Sequence, residues 1–539
     1  MPWAAAILSA VLLELPFPLA GPLPPWRALF AFVALVPLLW SILAPSESPR
    51  PHRRSFLLGY LCGILWYAGN CYWIYDTMQI HGGLPPIGAV GLLLVYSLVL
   101  GLYFGLFTLA LKFIANRLGA GTALIAAPFL WTALDLAAAR ITSVPWDQLG
   151  YSQVDSAILT HLAPVTGVYG ITFLLVAVNA LLVRALLHLQ SSFMRLFSLL
   201  VILLLLGCIF LANPSAPPAA TATAVLVQPN LDVDSGGLWP GPLWDQQIAQ
   251  LGKLAAQTCK PFIDGIPETG QPIQMPQCAN PPAHPDLVAW PESPAPFFED
   301  EPRFRDAMKQ LALAAHTPLV IGGVGMEQTP AELHQFNSAM VFDAQGSPQG
   351  RYDKIHLVPY GEFIPYRNLF FFAKKLTRKV DDLSRGTDRN TFLLADSHGQ
   401  SHRYGIFICY ESVFADEIRH FADNGAEVFV NISDDGWYGD TSAPWQHLNM
   451  ARMRAIENRR WILRDTNNGV TAVIDPYGRV RQSIPRHTVG ALVAQYGFRS
   501  DVTFYTRHGD VFAWVCAIFS ACVLAWSARN PAKPRDLTK

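Results

Sequence analysis

The chain has 539 residues, of which 51% are hydrophobic and only 15% charged, against roughly 25% charged in an average soluble protein. With 39 Lys+Arg against 40 Asp+Glu its net charge is −1, and its mean hydropathy is +0.26. These values exclude a disordered chain, a nucleic-acid binder and an ordinary cytosolic enzyme. Charge is sparse up to about residue 213 and ordinary from 222 to 508, which reads as a membrane part carrying one large water-soluble domain.

A bilayer core of ~30 Å takes about 20 apolar residues as a helix. Such stretches are predicted near 4–20, 26–44, 55–76, 86–111, 122–139, 160–187 and 195–212, with an eighth near 509–527. The first is read as a span and not a cleaved signal: Met1-Pro2-Trp3 supplies no basic residue, and Glu14, Pro16 and Pro18 interrupt the apolar run. Lys and Arg gather in alternate loops. Arg50, Arg53 and Arg54 follow span two, Lys112 and Arg117 follow span four, and Arg184 and Arg195 separate six from seven. Arg529, Lys533, Arg535 and Lys539 follow span eight, while loop 77–85 has neither Lys nor Arg and 140–159 has only Arg140. The positive-inside bias then puts both termini, including the tail 528–539, in the cytoplasm and the soluble domain outside. Ionisable residues within the spans are few, chiefly Glu14 and Asp135, which disfavours a transporter.

Five of the eight cysteines, Cys62, Cys71, Cys208, Cys516 and Cys522, fall in apolar spans and read as small buried hydrophobes. Cys259 and Cys278 flank a Pro/Gly-rich stretch of the outward domain. A disulfide is favoured there over a metal site, as no His or second Cys pair is nearby, and would contribute roughly 3 kcal/mol. Cys409 is left over.

After a Pro/Ala linker at 213–222, strand-like runs are predicted at 224–230, 286–290, 318–324, 338–343, 403–408, 427–432 and 471–475. Helical patterns lie near 243–257, 302–315, 412–424 and 443–458. The alternation predicts an α/β sandwich over 222–500. Three strand ends carry chemistry: Trp290-Pro291-Glu292-Ser293, the run Tyr352-Asp353-Lys354-Ile355-His356 leading to Pro359-Tyr360-Gly361-Glu362-Phe363, and Gly405-Ile406-Phe407-Ile408-Cys409-Tyr410-Glu411. Singly they read as a helix cap, a solvated ammonium and a core thiol. Together they do not.

The order Glu…Lys…Cys in these motifs resembles the nitrilase, or carbon–nitrogen hydrolase, superfamily, whose fold is an α-β-β-α sandwich. An outward nitrilase-like domain between spans seven and eight is similar to one family in particular, the bacterial apolipoprotein N-acyltransferases. The stretches His447–Ala455 and Thr466–Thr471 share in that likeness. The resemblance implies a catalytic triad of Glu292, Lys354 and Cys409, supported by Glu362, Tyr410 and Glu411. Cys409 is expected to have its thiol acidified at a helix N-terminus, Glu292 to carry protons and Lys354 to stabilise an oxyanion.

The reaction it implies is ping-pong transfer of an acyl chain from a phospholipid, phosphatidylethanolamine foremost, to the α-amino group of a diacylglyceryl-cysteine on an apolipoprotein, without cofactor or metal. Residues expected to form lipid-facing lids are Trp239 (with Trp244 as its rival), Phe297, Phe298, Phe363, Trp437 and Tyr438; Asn368–Phe372 and Lys374–Lys379 read as a further aromatic and basic surface. Three features depart from the family pattern: no basic residue precedes Trp239, Tyr360 stands where Phe is common, and Cys259–Cys278 encloses an insert. The runner-up is a membrane-anchored amidase hydrolysing a C–N bond.

Overall fold

The computed structural model describes residues 1–45, 49–187, 216, 218–233, 244–255, 285–292, 297–330, 332–359, 361–363 and 383–531. The expected span 195–212, Trp239, the Cys259–Cys278 pair and the 364–382 surface lie outside the described residues.

Among the described residues, five helical stretches are long and apolar enough to cross a membrane. They are Pro25–Leu43, Pro86–Leu118, Ala120–Thr142, Val168–Leu187 and Val511–Arg529. The bundle is built from α1 (Pro2–Glu14), α2 (Val36–Leu43), α3 (Pro51–Asn70), α4 (Pro86–Leu118), α5 (Ala120–Ala137) and α6 (Val168–Leu187). The first expected span is corrected: α1 has 13 residues, about 20 Å of helix, because the chain turns off at Glu14. The third expected span overlaps α3, which starts and ends earlier, over Pro51–Asn70; its first turn carries His52, Arg53 and Arg54 and lowers its mean hydropathy. What seats α3 is close packing. Gly59 and Gly63 face Gly101 and Phe104 on α4, and a Cβ on Gly59 would stand 2.4 Å from the Phe104 carbonyl oxygen. Small residues at four-residue spacing let helix backbones touch in this way.

The soluble part is two six-stranded sheets. The first runs β12–β1–β2–β3–β4–β5 with β1 (Ala222–Gln228), β2 (Leu287–Trp290), β3 (Leu319–Gln328), β4 (Leu333–Phe342), β5 (Pro348–Asp353) and β12 (Gly490–Tyr496). The second runs β11–β10–β9–β8–β7–β6 with β6 (Thr391–Ala395), β7 (Ser401–Ile408), β8 (Val428–Ser433), β9 (Trp461–Thr466), β10 (Thr471–Ile474) and β11 (Val480–Ile484). In each sheet three central strands are parallel, β1–β2–β3 and β7–β8–β9. Parallel strands require covered faces. One face of each sheet meets the other sheet through Leu226, Ala289, Val320, Ile406, Val430 and Leu463. The outer face of the first is covered by α7 (Trp244–Ala255) and α8 (Pro302–Ala315), through Ile248, Leu251, Met308 and Leu311. The second is covered by α9 (Ala415–Asp423) and α10 (Ala443–Asn458). This is the expected α-β-β-α sandwich; α11 (Val511–Arg529) then returns to the bundle.

The sandwich is bolted to the bundle by polar contacts from loop 140–159. Arg140 bridges Asp416 at 2.8 Å and Asp510 at 2.5 Å. Trp146 Nε1 donates to Gln446 Oε1 at 2.9 Å, and Gln446 Nε2 donates to Asn70 Oδ1 at 3.1 Å. Arg454 donates to the Tyr151 hydroxyl at 2.8 Å and pairs with Glu457 at 3.0 Å, both charges being fully buried. Glu457 also accepts the Val168 N–H at the start of α6. Removing one member of a buried pair strands the other, at a cost of roughly 3–5 kcal/mol. Glu457→Ala is therefore expected to lower the thermal unfolding temperature in detergent by several degrees, with Gln310→Ala on the exposed face of α8 as the unchanged control.

Candidate active site

The site stands where β2, β5, β7 and β8 end. Glu292 leaves β2 through Trp290-Pro291, and the turn is held against β3: a Cβ on Gly322 would meet the Pro291 carbonyl oxygen at 2.2 Å. Lys354 follows β5 directly, and its backbone N–H donates to the Asn337 carbonyl on β4 at 2.9 Å. Cys409 begins a single 3₁₀ turn, Cys409–Val413, after β7.

Lys354 Nζ donates to Glu292 Oε1 at 3.1 Å and to Glu362 Oε1 at 3.0 Å. Lys354 is 1% exposed. Burial opposes its charge, but the two carboxylates outweigh that and hold the ammonium well above its ordinary pKa. The carboxylates are fixed in turn. Asn337 Nδ2 lies 2.6 Å from both Glu292 Oε1 and Glu362 Oε1. The Asp434 N–H donates to Glu292 Oε2 at 2.9 Å, and the Val358 N–H to Glu362 Oε2 at 2.7 Å.

Glu411 ties the lysine loop to the Cys409 turn. Its Oε1 accepts from the Ile355 N–H at 2.7 Å, the His356 N–H at 3.1 Å and the Tyr352 hydroxyl at 2.8 Å, while Oε2 accepts the Ile408 N–H at 2.7 Å. It caps its own turn and braces a second loop. Tyr410 donates from its hydroxyl to the Ser143 carbonyl at 3.4 Å and lies parallel to Trp146 at 6.5 Å, so it faces the bundle.

Cys409 itself differs from expectation. Burial and the negative charge of Glu292 push its thiol well above the ordinary value, with Lys354 acting the other way. A five-residue turn supplies too little dipole to acidify it. The raised pKa favours the neutral thiol, so a thiolate at Cys409 calls for a base. Glu292, fixed beside the lysine, is the carboxylate that the thiol feels most strongly.

The aromatic residues divide. Phe297 is 1% exposed, stacked 5.4 Å from Phe304 and edge-on to Trp244. Trp244, at the start of α7, and Phe297 both belong to the core that α7 and α8 cover, and the expected lid role of Phe297 is corrected. Phe298 is partly buried and bridges to Val324. Phe363 lies under the Arg385 guanidinium at 4.6 Å. Tyr438 is buried against Trp73 at 5.2 Å and forms a wall, not a lid. Trp437 is 37% exposed and touches the loop after α3, where Thr77 donates to its carbonyl at 3.0 Å.

Asn337 went unassigned in the sequence. Its signal was an amide standing just before the apolar run Ser338–Phe342 in a strand. Tyr352 lay within the lysine motif without a role. Among the described residues no group of three His, Cys, Asp or Glu is placed to hold a metal.

An α-β-β-α sandwich with Glu, Lys and Cys at neighbouring strand ends, seated on an apolar helical bundle, defines a membrane-anchored protein of the carbon–nitrogen hydrolase class. Residues 279–497 match the family described as carbon-nitrogen hydrolase, and residues 9–181 match the apolipoprotein N-acyltransferase N-terminal domain. The apolipoprotein N-acyltransferase of Geobacter metallireducens is 34% identical over 536 residues, covering 97% of this chain and 95% of that one. Those of Chlorobaculum tepidum and Pseudomonas putida are 28% and 30% identical, covering 96% and 88% of this chain and 94% and 88% of theirs. The chain belongs to the apolipoprotein N-acyltransferase family.

The raised thiol pKa has a readable consequence. Alkylation requires thiolate, and thiolate forms only as pH rises through the elevated pKa. Labelling of Cys409 by iodoacetamide, followed by peptide mass, is expected to keep accelerating past pH 9, where a free cysteine levels off.

Proposed function

We propose that this chain transfers an acyl chain from a membrane phospholipid, phosphatidylethanolamine foremost, to the α-amino group of a diacylglyceryl-cysteine at the N-terminus of an apolipoprotein. The observation that carries the proposal is the Lys354 ammonium clamped between Glu292 and Glu362 beside the Cys409 turn, in a sandwich fastened to an apolar bundle.

In the first half-reaction Glu292 takes the thiol proton and Cys409 Sγ attacks the ester carbonyl. Lys354 Nζ donates to the tetrahedral oxyanion. Collapse breaks the C–O bond, and the proton held by Glu292 passes to the departing oxygen, releasing lysophospholipid and leaving a thioester. In the second half the acceptor amine attacks the thioester while Glu292 takes its proton. The C–S bond breaks, and the same proton returns to the thiolate. One carboxylate serves both halves because it is a base when the nucleophile arrives and an acid when the leaving group departs. Glu362 and Asn337 keep the lysine and Glu292 in register throughout.

The arrangement also supports the topology read from loop charge. The Lys/Arg-poor loops are those in contact with the sandwich: Thr77 and His81 meet Trp437, and Arg140, Trp146 and Tyr151 meet α9, α10 and Asp510. At the other end Arg117 donates to the Asn530 carbonyl at 2.5 Å, where the basic segments gather. The proposal therefore includes a bacterial inner-membrane location, cytoplasmic termini and a periplasmic catalytic domain over 222–500.

The test is intact mass of the purified protein with labelled phosphatidylethanolamine, with and without a diacylated lipopeptide. Wild type is expected to gain one acyl group that hydroxylamine removes and lipopeptide discharges; Cys409→Ala is expected to gain none. Discharge to free fatty acid regardless of acceptor would make the chain a hydrolase. Lys354→Met is expected to slow acylation on the order of 10²–10³-fold, the usual cost of losing one oxyanion donor.

A further inference from the structure

Several buried titratable groups with no part in the proton transfers above gather behind the nucleophile turn. His447, on α10, is fully buried, and its Nε2 lies 3.0 Å from the carbonyl oxygen of Cys409. A carbonyl only accepts hydrogen bonds, so Nε2 carries the proton. On the other edge of the ring, Nδ1 lies 2.9 Å from Asp435 Oδ1 and 3.1 Å from Arg464 Nη2. Asp435 also accepts from the Ser433 hydroxyl at 2.9 Å and from Arg464 Nη2 at 2.7 Å. Trp146 of the bundle lies parallel to the imidazole at 6.1 Å. Burial and Arg464 lower the imidazole's pKa, while Asp435 and the Cys409 carbonyl act the other way. Both ring nitrogens face protein atoms, which leaves no edge for proton exchange with a substrate.

Cys409 needs such a partner. Its φ is +48°, the left-handed region, which costs a residue with a Cβ about 1–2 kcal/mol. The peptide that follows is planar, with its C=O and N–H on opposite edges. Pinning the Cys409 oxygen toward His447 therefore fixes the Tyr410 N–H on the opposite edge. An N–H in the first turn of a helical segment lacks a partner within it.

We infer that His447 is a positioning residue for the nucleophile: through Nε2–H it holds the Cys409–Tyr410 peptide so that the Tyr410 N–H joins Lys354 Nζ in binding the acyl oxyanion. Asp435 and Arg464 hold the ring in place. The inference rests on Cys409 being the acylated nucleophile, so wild-type acylation is measured first; its absence would defeat the parent reading and not this one.

Three variants decide the matter: His447→Gln, whose amide reaches the carbonyl, His447→Asn, one methylene short of it, and His447→Phe. Each is assayed for the single-turnover rate of thioester formation, for the rate of Cys409 alkylation by iodoacetamide, and for melting temperature. Acylation is expected to fall on the order of 10²-fold in the Phe and Asn variants, as for loss of one oxyanion donor, and to return to within about tenfold of wild type in the Gln variant. Alkylation builds no oxyanion and is expected to change less than about threefold. If the Phe variant fails to fold, the Asn and Gln pair carries the test. A Gln variant as slow as the Asn variant, an alkylation rate that falls in step with acylation, or undiminished acylation in both would overturn the inference.

Discussion

A lysine ammonium taken out of water loses hydration worth several kcal/mol, and only close opposite charge restores it. Lys354 is in that position, and much of the site can be read as the means of satisfying it. Glu292 arrives from the end of β2 and Glu362 from the loop beyond β5. Asn337, on the strand between, donates to both carboxylates so that neither swings away. With one cation held by two anions, the cluster is stable only if the strand ends that carry it stay in register. That register is supplied by the two-sheet sandwich, whose central strands are buried on both faces. The same cluster bears on Cys409: burial and the nearby Glu292 carboxylate raise its thiol pKa against the pull of Lys354.

The Cys409 turn is braced from three sides. Glu411 gathers two backbone N–H groups of the lysine loop, one of its own strand and the Tyr352 hydroxyl. Asp435 and Arg464 sit behind it with His447. On the third side are bundle aromatics, Trp146 over Tyr410 and Trp73 against Tyr438. Helix α10 serves both lobes along one length: Gln446 reaches Asn70 in the bundle, His447 reaches Cys409, and Arg454 with Glu457 reaches Tyr151 and Val168. A lobe joined through so many buried polar groups has little freedom to rotate, since each broken contact would strand a charge or an amide.

The helices of the sandwich were legible because their apolar periodicity is strong and their ends are marked. Pro302 opens α8, and α10 runs over Ala443–Asn458 as its pattern predicts. Strands with an uninterrupted apolar run, such as β2, β7 and β8, were legible for the same reason. Strand β9 was not, because Trp461–Thr466 places Arg464 and Asp465 in mid-strand, where a linear reading sees a polar break. Strands β11 and β12 carry exposed polar positions and fall below the apolar-run signal. Phe297 was misplaced because an aromatic pair in a Pro-rich segment reads alike whether it faces lipid or a helix pair.

The sequence by itself determined the division into an apolar bundle and an α/β domain, the alternation that makes a sandwich, and the three strand-end motifs, since each is encoded in hydropathy, period and local spacing. Only the tertiary structure decided that Glu292 and Glu362 share the Lys354 ammonium and the Asn337 amide, that Glu411 braces a loop more than 50 residues upstream, and that His447 meets the carbonyl of Cys409. Those contacts join residues from separate strands and helices. The thiol's direction of shift belongs with them: it depends on which charges lie nearby and how much water is excluded, quantities that no linear pattern carries.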